Sequence, residues 1–344
     1  MDVPAAVTKP LTTRPLTVWA VSDGRAGIEN QALGLAEAIT RQTPAEITVK
    51  RLHFAALFDR LPTALKIAPD AMLAGNSDRI APPYPDIWIA AGRASLPFSL
   101  RMKKRSSGHT FVVQLQDPKT SLKAFDLVIA PEHDGLVAPN VLPLLGSTNR
   151  ITRDRLAADY MQWRQRLVPL KGPHIAALIG GKSKVYDLSL DRAASLALQI
   201  KLAVAEEGGS LLLTLSRRTP DPAKAIIREV LKDTPGIIYD GDGDNPYFAF
   251  LHAADHILVT EDSVNMTTEA AATGKPVHML ALDRLREGGK FETFHRALRM
   301  HGIAKPFCGH LEHWSYVPLD ETARAARHLL QLYAEKRDAL RVTA

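Results

Sequence analysis

The sequence predicts an α/β protein made of two Rossmann-like domains that face each other across a cleft. Three observations carry this expectation. Short apolar runs rich in β-branched and aromatic residues alternate with amphipathic segments, the pattern of parallel strands covered on both faces. That series runs twice along the chain, with a break between the two runs. The chain of 344 residues is also about twice the usual size of one domain.

In the first series the strand candidates are residues 16–21, 47–52, 86–91, 111–115 and 126–130. A helix over 30–41 follows the first strand directly, with Leu33, Ala36 and Ile39 along one side. The break is expected near 162–173, where a Trp/Arg-rich helix runs into Val168-Pro-Leu-Lys-Gly-Pro173. The second series places strands at 174–179, 210–215, 236–239, 256–260 and 276–280. Helices are expected between or after them at 189–207, 222–231, 247–254, 265–273 and 291–300.

Composition narrows the function classes. A formal net charge of +6 suits an anionic partner, such as a nucleotide, a phosphorylated lipid or an anionic membrane surface. It is too small and too dispersed to argue for nucleic acid. The densest basic run, Arg101-Met-Lys-Lys-Arg105, reads as a solvated loop. A single cysteine, Cys308, excludes an internal disulfide and any thiolate-cluster metal site. No apolar run reaches the roughly 18 residues of a membrane span, and the opening MDVPAAVTKPLTTRPL lacks the apolar core of a secretory signal. The expected location is the cytoplasm.

Polar turns after predicted strands carry the chemistry. The first, Ser22-Asp-Gly-Arg-Ala-Gly-Ile-Glu-Asn-Gln31, offers Gly24 and Gly27 for backbone convergence on an anion, with Arg25, Asn30 and Gln31 beside them. Asp23 and Glu29 flank it as candidate general bases; the bland alternatives are a turn cap for Asp23 and a helix-dipole partner for Glu29. The second turn supplies Gly92, Arg93 and Ser95 for a phosphate. The third supplies Gly180 and Gly181 for close backbone approach, and Lys182 and Ser183 for a diphosphate. Gly in such turns is also common for steric reasons alone. Neither GxGxxG nor GxxxxGK[ST] occurs, so simple dinucleotide and P-loop assignments lose support.

The stretch 254–277 is the most telling. A strand candidate ends in Thr260-Glu-Asp-Ser263, and a small-residue helix follows with Asn265 and Glu269 on one face. Glu269 suits a ribose diol, while Glu261 and Asp262 also read as helix caps. Such a turn lies where doubly wound folds hold ligands, outside the carboxyl end of a strand. In the loop 239–247, Asp240, Asp242 and Asp244 alternate as in a calcium loop, but the twelfth position is Leu251 rather than Glu. Asp244 or Asn245 as the cap of the next helix is the simpler reading, and no metal is expected.

These residues resemble the family named for the plant mitochondrial fission protein "elongated mitochondria". The matching stretches run from Trp19 to Gln31, from Leu178 to Ser183, from Gly241 to Tyr247, and from Val259 through Met266 to Pro276, within about residues 16–335. That family is in turn similar to GT-B glycosyltransferases, notably the enzyme that adds N-acetylglucosamine to a lipid-linked peptidoglycan precursor. The resemblance implies an acceptor-side domain at 1–165, a donor domain at 166–318, and a segment 319–344 whose helix packs back towards the first domain.

It further implies a metal-independent, inverting transfer from a nucleotide-sugar, UDP-sugar favoured, to a membrane-associated or cell-envelope acceptor such as a glycolipid. The chain would then sit peripherally on the cytoplasmic membrane face, with the basic run 101–105 toward the acceptor. Gly180, Gly181, Lys182, Ser183, Asp262, Ser263, Asn265, Met266 and Glu269 would hold the donor, and Asn245 and Tyr247 would border its base. Backbone N–H groups at 180–182 and a helix start near Ser263 would stabilise the departing diphosphate. In the first glycine turn the related enzyme carries a His, whereas this chain has Ile28. The alternatives are a non-catalytic adaptor in membrane or organelle morphology with a vestigial nucleotide cleft, and a nucleotide-sugar epimerase.

Overall fold

A computed structural model describes residues 14–342, so most of the leading segment read for a secretory signal lies outside the described residues. The chain forms two compact units. The first comprises the residues up to Leu144, Thr148–Arg150, and the chain from Glu321 onward; the second comprises Leu145–Ser147 and Ile151–Asp320.

The first unit is a parallel sheet of β1 (Leu16–Ser22), β2 (Ala45–Arg51), β3 (Ile87–Ala91), β4 (Phe111–Leu115), β5 (Leu127–Pro131) and β6 (Val141–Leu144), in the order β2-β1-β3-β4-β5-β6. The strand order reverses between β1 and β3, which pair from Val18↔Ile87 to Val21↔Ala90. Helix α1 (Ala26–Thr40) packs its buried Leu35, Ala36 and Ile39 on one face of the sheet. It starts four positions earlier than its apolar stripe suggests, so Gly27, Asn30 and Gln31 are helical rather than part of a turn.

The terminal helix, Glu321–Val342, shares that core through Ala325, Ala326, Leu329, Leu330 and Tyr333, the last edge-on to Phe111. On the other face, after the short α2 (Ala56–Asp59), α3 (Leu96–Arg105) buries Phe98 and Met102. The basic run is therefore the last turn of a helix, not a solvated loop. Its Arg105 pairs with Asp70 and its Lys103 with Asp126.

The second unit adds α4 (Arg153–Leu167), β7 (His174–Ile179), β8 (Tyr186–Asp187), α5 (Leu190–Glu207), β9 (Ser210–Leu215), α6 (Asp221–Leu231) and β10 (Gly236–Tyr239). Then follow α7 (Tyr247–Ala253), β11 (His256–Thr260), α8 (Val264–Ala271), β12 (Val277–Leu280), β13 (Asp283–Arg284), α9 (Gly289–Met300) and β14 (Ala304–Pro306). Its parallel sheet runs β10-β9-β7-β11-β12-β14, while β8 and β13 form a separate antiparallel ribbon. Numbered within the unit this is the 3-2-1-4-5-6 order of the Rossmann fold, with its reversal between β7 and β11.

The change of unit falls at 145–151, upstream of the expected break at 162–173. The physical reason is α4, whose Trp163 and Leu167 pack with Leu212, Ala249 and Phe250 of the second unit. Both units are α/β and Rossmann-like, of GT-B type. Among the described residues no helix is long and apolar enough to cross a membrane.

Candidate functional site

In doubly wound sheets ligands bind outside the carboxyl ends of the strands, where the order reverses. In the second unit that point joins three strand ends. A carboxylate links them: Asp262, just past β11, has a side chain with no solvent exposure. Its Oδ1 accepts from Thr260 Oγ1 at 2.7 Å, and its Oδ2 from the Gly181 N–H at 3.1 Å. The same Oδ2 meets Arg218 Nη1, from the loop after β9, at 2.9 Å. Burial nonetheless pushes the Asp262 carboxyl above its ordinary value, opposed chiefly by Arg218.

This arrangement explains the glycine pair sterically. A Cβ on Gly180 would stand 2.1 Å from Asp262 Oδ1. Gly181 has φ +155°, and its Cβ would stand 2.4 Å from the Arg218 carbonyl oxygen. The backbone N–H groups expected to cradle a diphosphate are occupied. Gly180 donates to Thr260 Oγ1 at 2.7 Å, Gly181 to Asp262, and Lys182 to the Arg218 carbonyl at 3.1 Å. Ser183 is likewise turned inward: its N–H donates to the Tyr186 carbonyl, and its Oγ accepts from Val185 and Tyr186 N–H. Asp262 and Ser183 are thus tied to the fold, while the Lys182 side chain is exposed.

Helix α8 starts at this edge. Ser263 caps it by accepting from the Met266 N–H at 3.3 Å, and Met266 itself packs against the core. Asn265 Oδ1 accepts from Ser147 Oγ at 3.0 Å. Glu269, further along α8, is 7% exposed, and its Oε2 accepts from Tyr247 Oη at 2.6 Å. Burial raises the Glu269 carboxyl to about 7 and, with the nearby carboxylate, holds the Tyr247 phenol well above its usual value. The N-cap position of α7 is Pro246, and Asn245 just before it accepts the Tyr247 N–H through Oδ1 at 3.0 Å. Nearby, Asp240 pairs with Arg228, and among the described residues no group of side chains is placed to hold a metal ion.

In the first unit the reversal lies between β1 and β3, and the two predicted turns meet there. Gly92, at φ +83°, sits tightly against the first turn: a Cβ there would stand 3.1 Å from Ile28 and 3.3 Å from Asp23 Oδ2. The candidate bases are both engaged. Asp23 receives Arg25 Nε at 2.9 Å and Nη2 at 2.6 Å, and accepts the Arg25 N–H as a turn cap. Glu29 receives Arg51, at the end of β2, through Nε at 2.7 Å and Nη2 at 2.9 Å.

Gly24 does take positive φ, +76°, but its N–H goes to Ser22 Oγ. Ser95 is fully buried and donates to the carbonyls of Ala91 and Gly92, so it is not presented to a phosphate. Gln31 is buried and accepts from Gln116 Nε2 at 3.1 Å. Arg93 is exposed.

Sequence reasoning missed Thr260, Arg51 and the pair Arg217-Arg218. The last had a legible signal, because Ser216-Arg-Arg-Thr219 is a polar turn directly after a predicted strand.

The comparisons with known proteins agree with this fold. A family model described as "Mitochondrial fission ELM1" matches residues 26–333. The Arabidopsis thaliana "Mitochondrial fission protein ELM1" is 31% identical over 284 residues, which cover 75% of this chain and 66% of that protein. The chain therefore spans just under two thirds of that relative's length. A Rickettsia prowazekii (strain Madrid E) protein, "Uncharacterized protein RP120", is 26% identical over 363 residues, covering 90% of this chain and 97% of the other.

Among solved structures, a Methanocaldococcus jannaschii UDP-GlcNAc 2-epimerase in complex with UDP-GlcNAc and UDP aligns with a TM-score of 0.53. It shares 12% identity, covering 92% of this chain and 100% of that one. The S. aureus MnaA–UDP structure aligns at 0.51 with 13% identity, covering 93% and 90%. At these identities the likeness shows the fold. On the extent of the family match, the chain belongs to the mitochondrial fission ELM1 family.

Proposed function

We propose that the second unit binds a nucleotide-sugar, with UDP-sugars the favoured class, and that the chain is a GT-B-type glycosyltransferase. One observation carries the reading: the buried Glu269–Tyr247 pair beside a capped helix start at the sheet's reversal point. A carboxylate with a single phenol donor among the described residues has acceptor capacity left for a ribose diol. The α8 N-terminus and the exposed Lys182 supply positive potential for the diphosphate, without calling on the occupied N–H groups of 180–182. UDP or UDP-GlcNAc in the two fold neighbours supports the ligand class. In this reading the acceptor is membrane-associated or part of the cell envelope, and Asp23 or Glu29 deprotonates it.

A second reading is favoured by a specific observation. Both candidate bases are held by arginines, as in a chain that keeps a nucleotide cleft without turnover and serves as an adaptor in membrane or organelle morphology. The family name agrees with it.

Calorimetric titration with UDP-, GDP-, CMP- and ADP-sugars tests the binding reading. Binding is expected, and Glu269→Ala should weaken it by about 1–3 kcal/mol through loss of charged hydrogen bonds. No binding at millimolar ligand overturns it. Release of nucleoside diphosphate on adding a lipid extract supports transfer; binding without release under every acceptor tried supports the adaptor.

A further inference from the structure

Arg218 stands in the polar turn after β9, beside the start of α8. Its Nη1 contacts Asp262 Oδ2 at 2.9 Å and the Asp262 carbonyl oxygen at 3.4 Å. Asp262 is itself fixed by Thr260 Oγ1 and the Gly181 N–H, and these are anchored at the ends of β11 and β7. The guanidinium is therefore oriented by groups at two other strand ends rather than by its own flexible stem alone. Among the described residues its Nε and Nη2 have no hydrogen-bond partner, and the side chain is 42% exposed. A guanidinium held on one side and open on the other presents two N–H groups in a fixed fork, the geometry that matches two phosphate oxygens. The adjoining Arg217 is exposed, and so is Lys182 across the same strand ends.

We propose that Arg218, positioned by Asp262, is the diphosphate-binding residue of the second unit. The assignment rests on the nucleotide reading above and deepens it. The backbone nest expected at 180–182 is filled by the fold's own acceptors, and Arg218 takes its place. Asp262 is a positioning residue; it does not meet the ligand.

The test measures binding of uridine, UDP and inorganic pyrophosphate to the full chain and to Arg218→Lys and Arg218→Ala. The lysine variant keeps a cation beside Asp262 and removes the fork, so it guards against loss of folding. Thermal melting confirms that each variant folds. The expected result is a loss of about tenfold or more in UDP and pyrophosphate affinity, with uridine affinity kept within about twofold. Unchanged UDP affinity in folded Arg218→Lys overturns the assignment, leaving Arg218 only as the counter-ion of Asp262. Arg218-dependent pyrophosphate binding with no added affinity for UDP keeps the assignment and overturns the nucleotide reading. Wild-type protein that binds none of the three probes overturns both.

Discussion

Glu269 concentrates the chemistry of the second unit in one side chain. Its carboxyl is raised by burial from 4.5 to about 7, so the folded, ligand-free protein favours the neutral form below that pH and the carboxylate above it. A raised acid contributes stability below its unfolded value and loses that contribution as pH climbs through the folded one. Ligand-free wild-type protein should therefore lose about 3 kcal/mol relative to Glu269→Gln between pH 4.5 and pH 7. Denaturant unfolding of both proteins across that window measures it. Parallel curves would show that Glu269 is solvated. Asp262 and Asp23 teach a different lesson at this scale. Both stand where ligand-binding carboxylates are sought, yet Asp262 ties strand ends together and Asp23 caps a turn. A sequence does not say which lone pairs the fold itself will use.

At the scale of elements the sequence was most legible where strands are buried on both faces. The runs at 111–115, 174–179, 210–215 and 256–260 coincide with β4, β7, β9 and β11, and the half-exposed edge strand β10 also falls on its expected run, 236–239. Strands with weaker signals were missed. β6 is four residues with Pro143 inside, tolerable because it lies at the sheet edge, and β14 is three residues ending in Pro306. α3 was hidden by its charge, since four of its last five residues are Lys or Arg while its apolar face is short.

The site was legible in the same uneven way. The strand-turn-helix spacing singles out Ser263 and Glu269 and the resemblance alone points to Tyr247, whereas the Thr260–Asp262–Gly181–Arg218 network needs three chain segments brought together. At the start of β11 and on β12, His256 and His278 lie buried with ring centroids 5.7 Å apart. Burial lowers His278 from 6.5 to about 4. A lowered base contributes stability above its unfolded value and loses it as pH falls toward the folded one. His278→Phe should thus hold its melting temperature better than wild type between pH 6.5 and pH 4. An equal acid response would mean that the imidazole is already hydrated.

For the whole molecule, the chain is two Rossmann-like units, and the first is completed by residues from both ends of the described sequence. The terminal helix, Glu321–Val342, buries Leu329 completely in the core that also holds Leu16 and Leu35. Leu329→Ala should cost about 2–5 kcal/mol and lower the unfolding midpoint of that unit. An unchanged midpoint would mean that the helix docks without supporting the sheet.

The two fold neighbours agree with the architecture, and the arginine-held carboxylates make ligand binding, rather than turnover, the property to test. Hydrogen exchange with and without UDP tests binding most directly. Slowed exchange is expected in the loop after β7, the turn 216–219 and the first turns of α8. Exchange unchanged in all three at saturating UDP, or slowed only elsewhere, would contradict it.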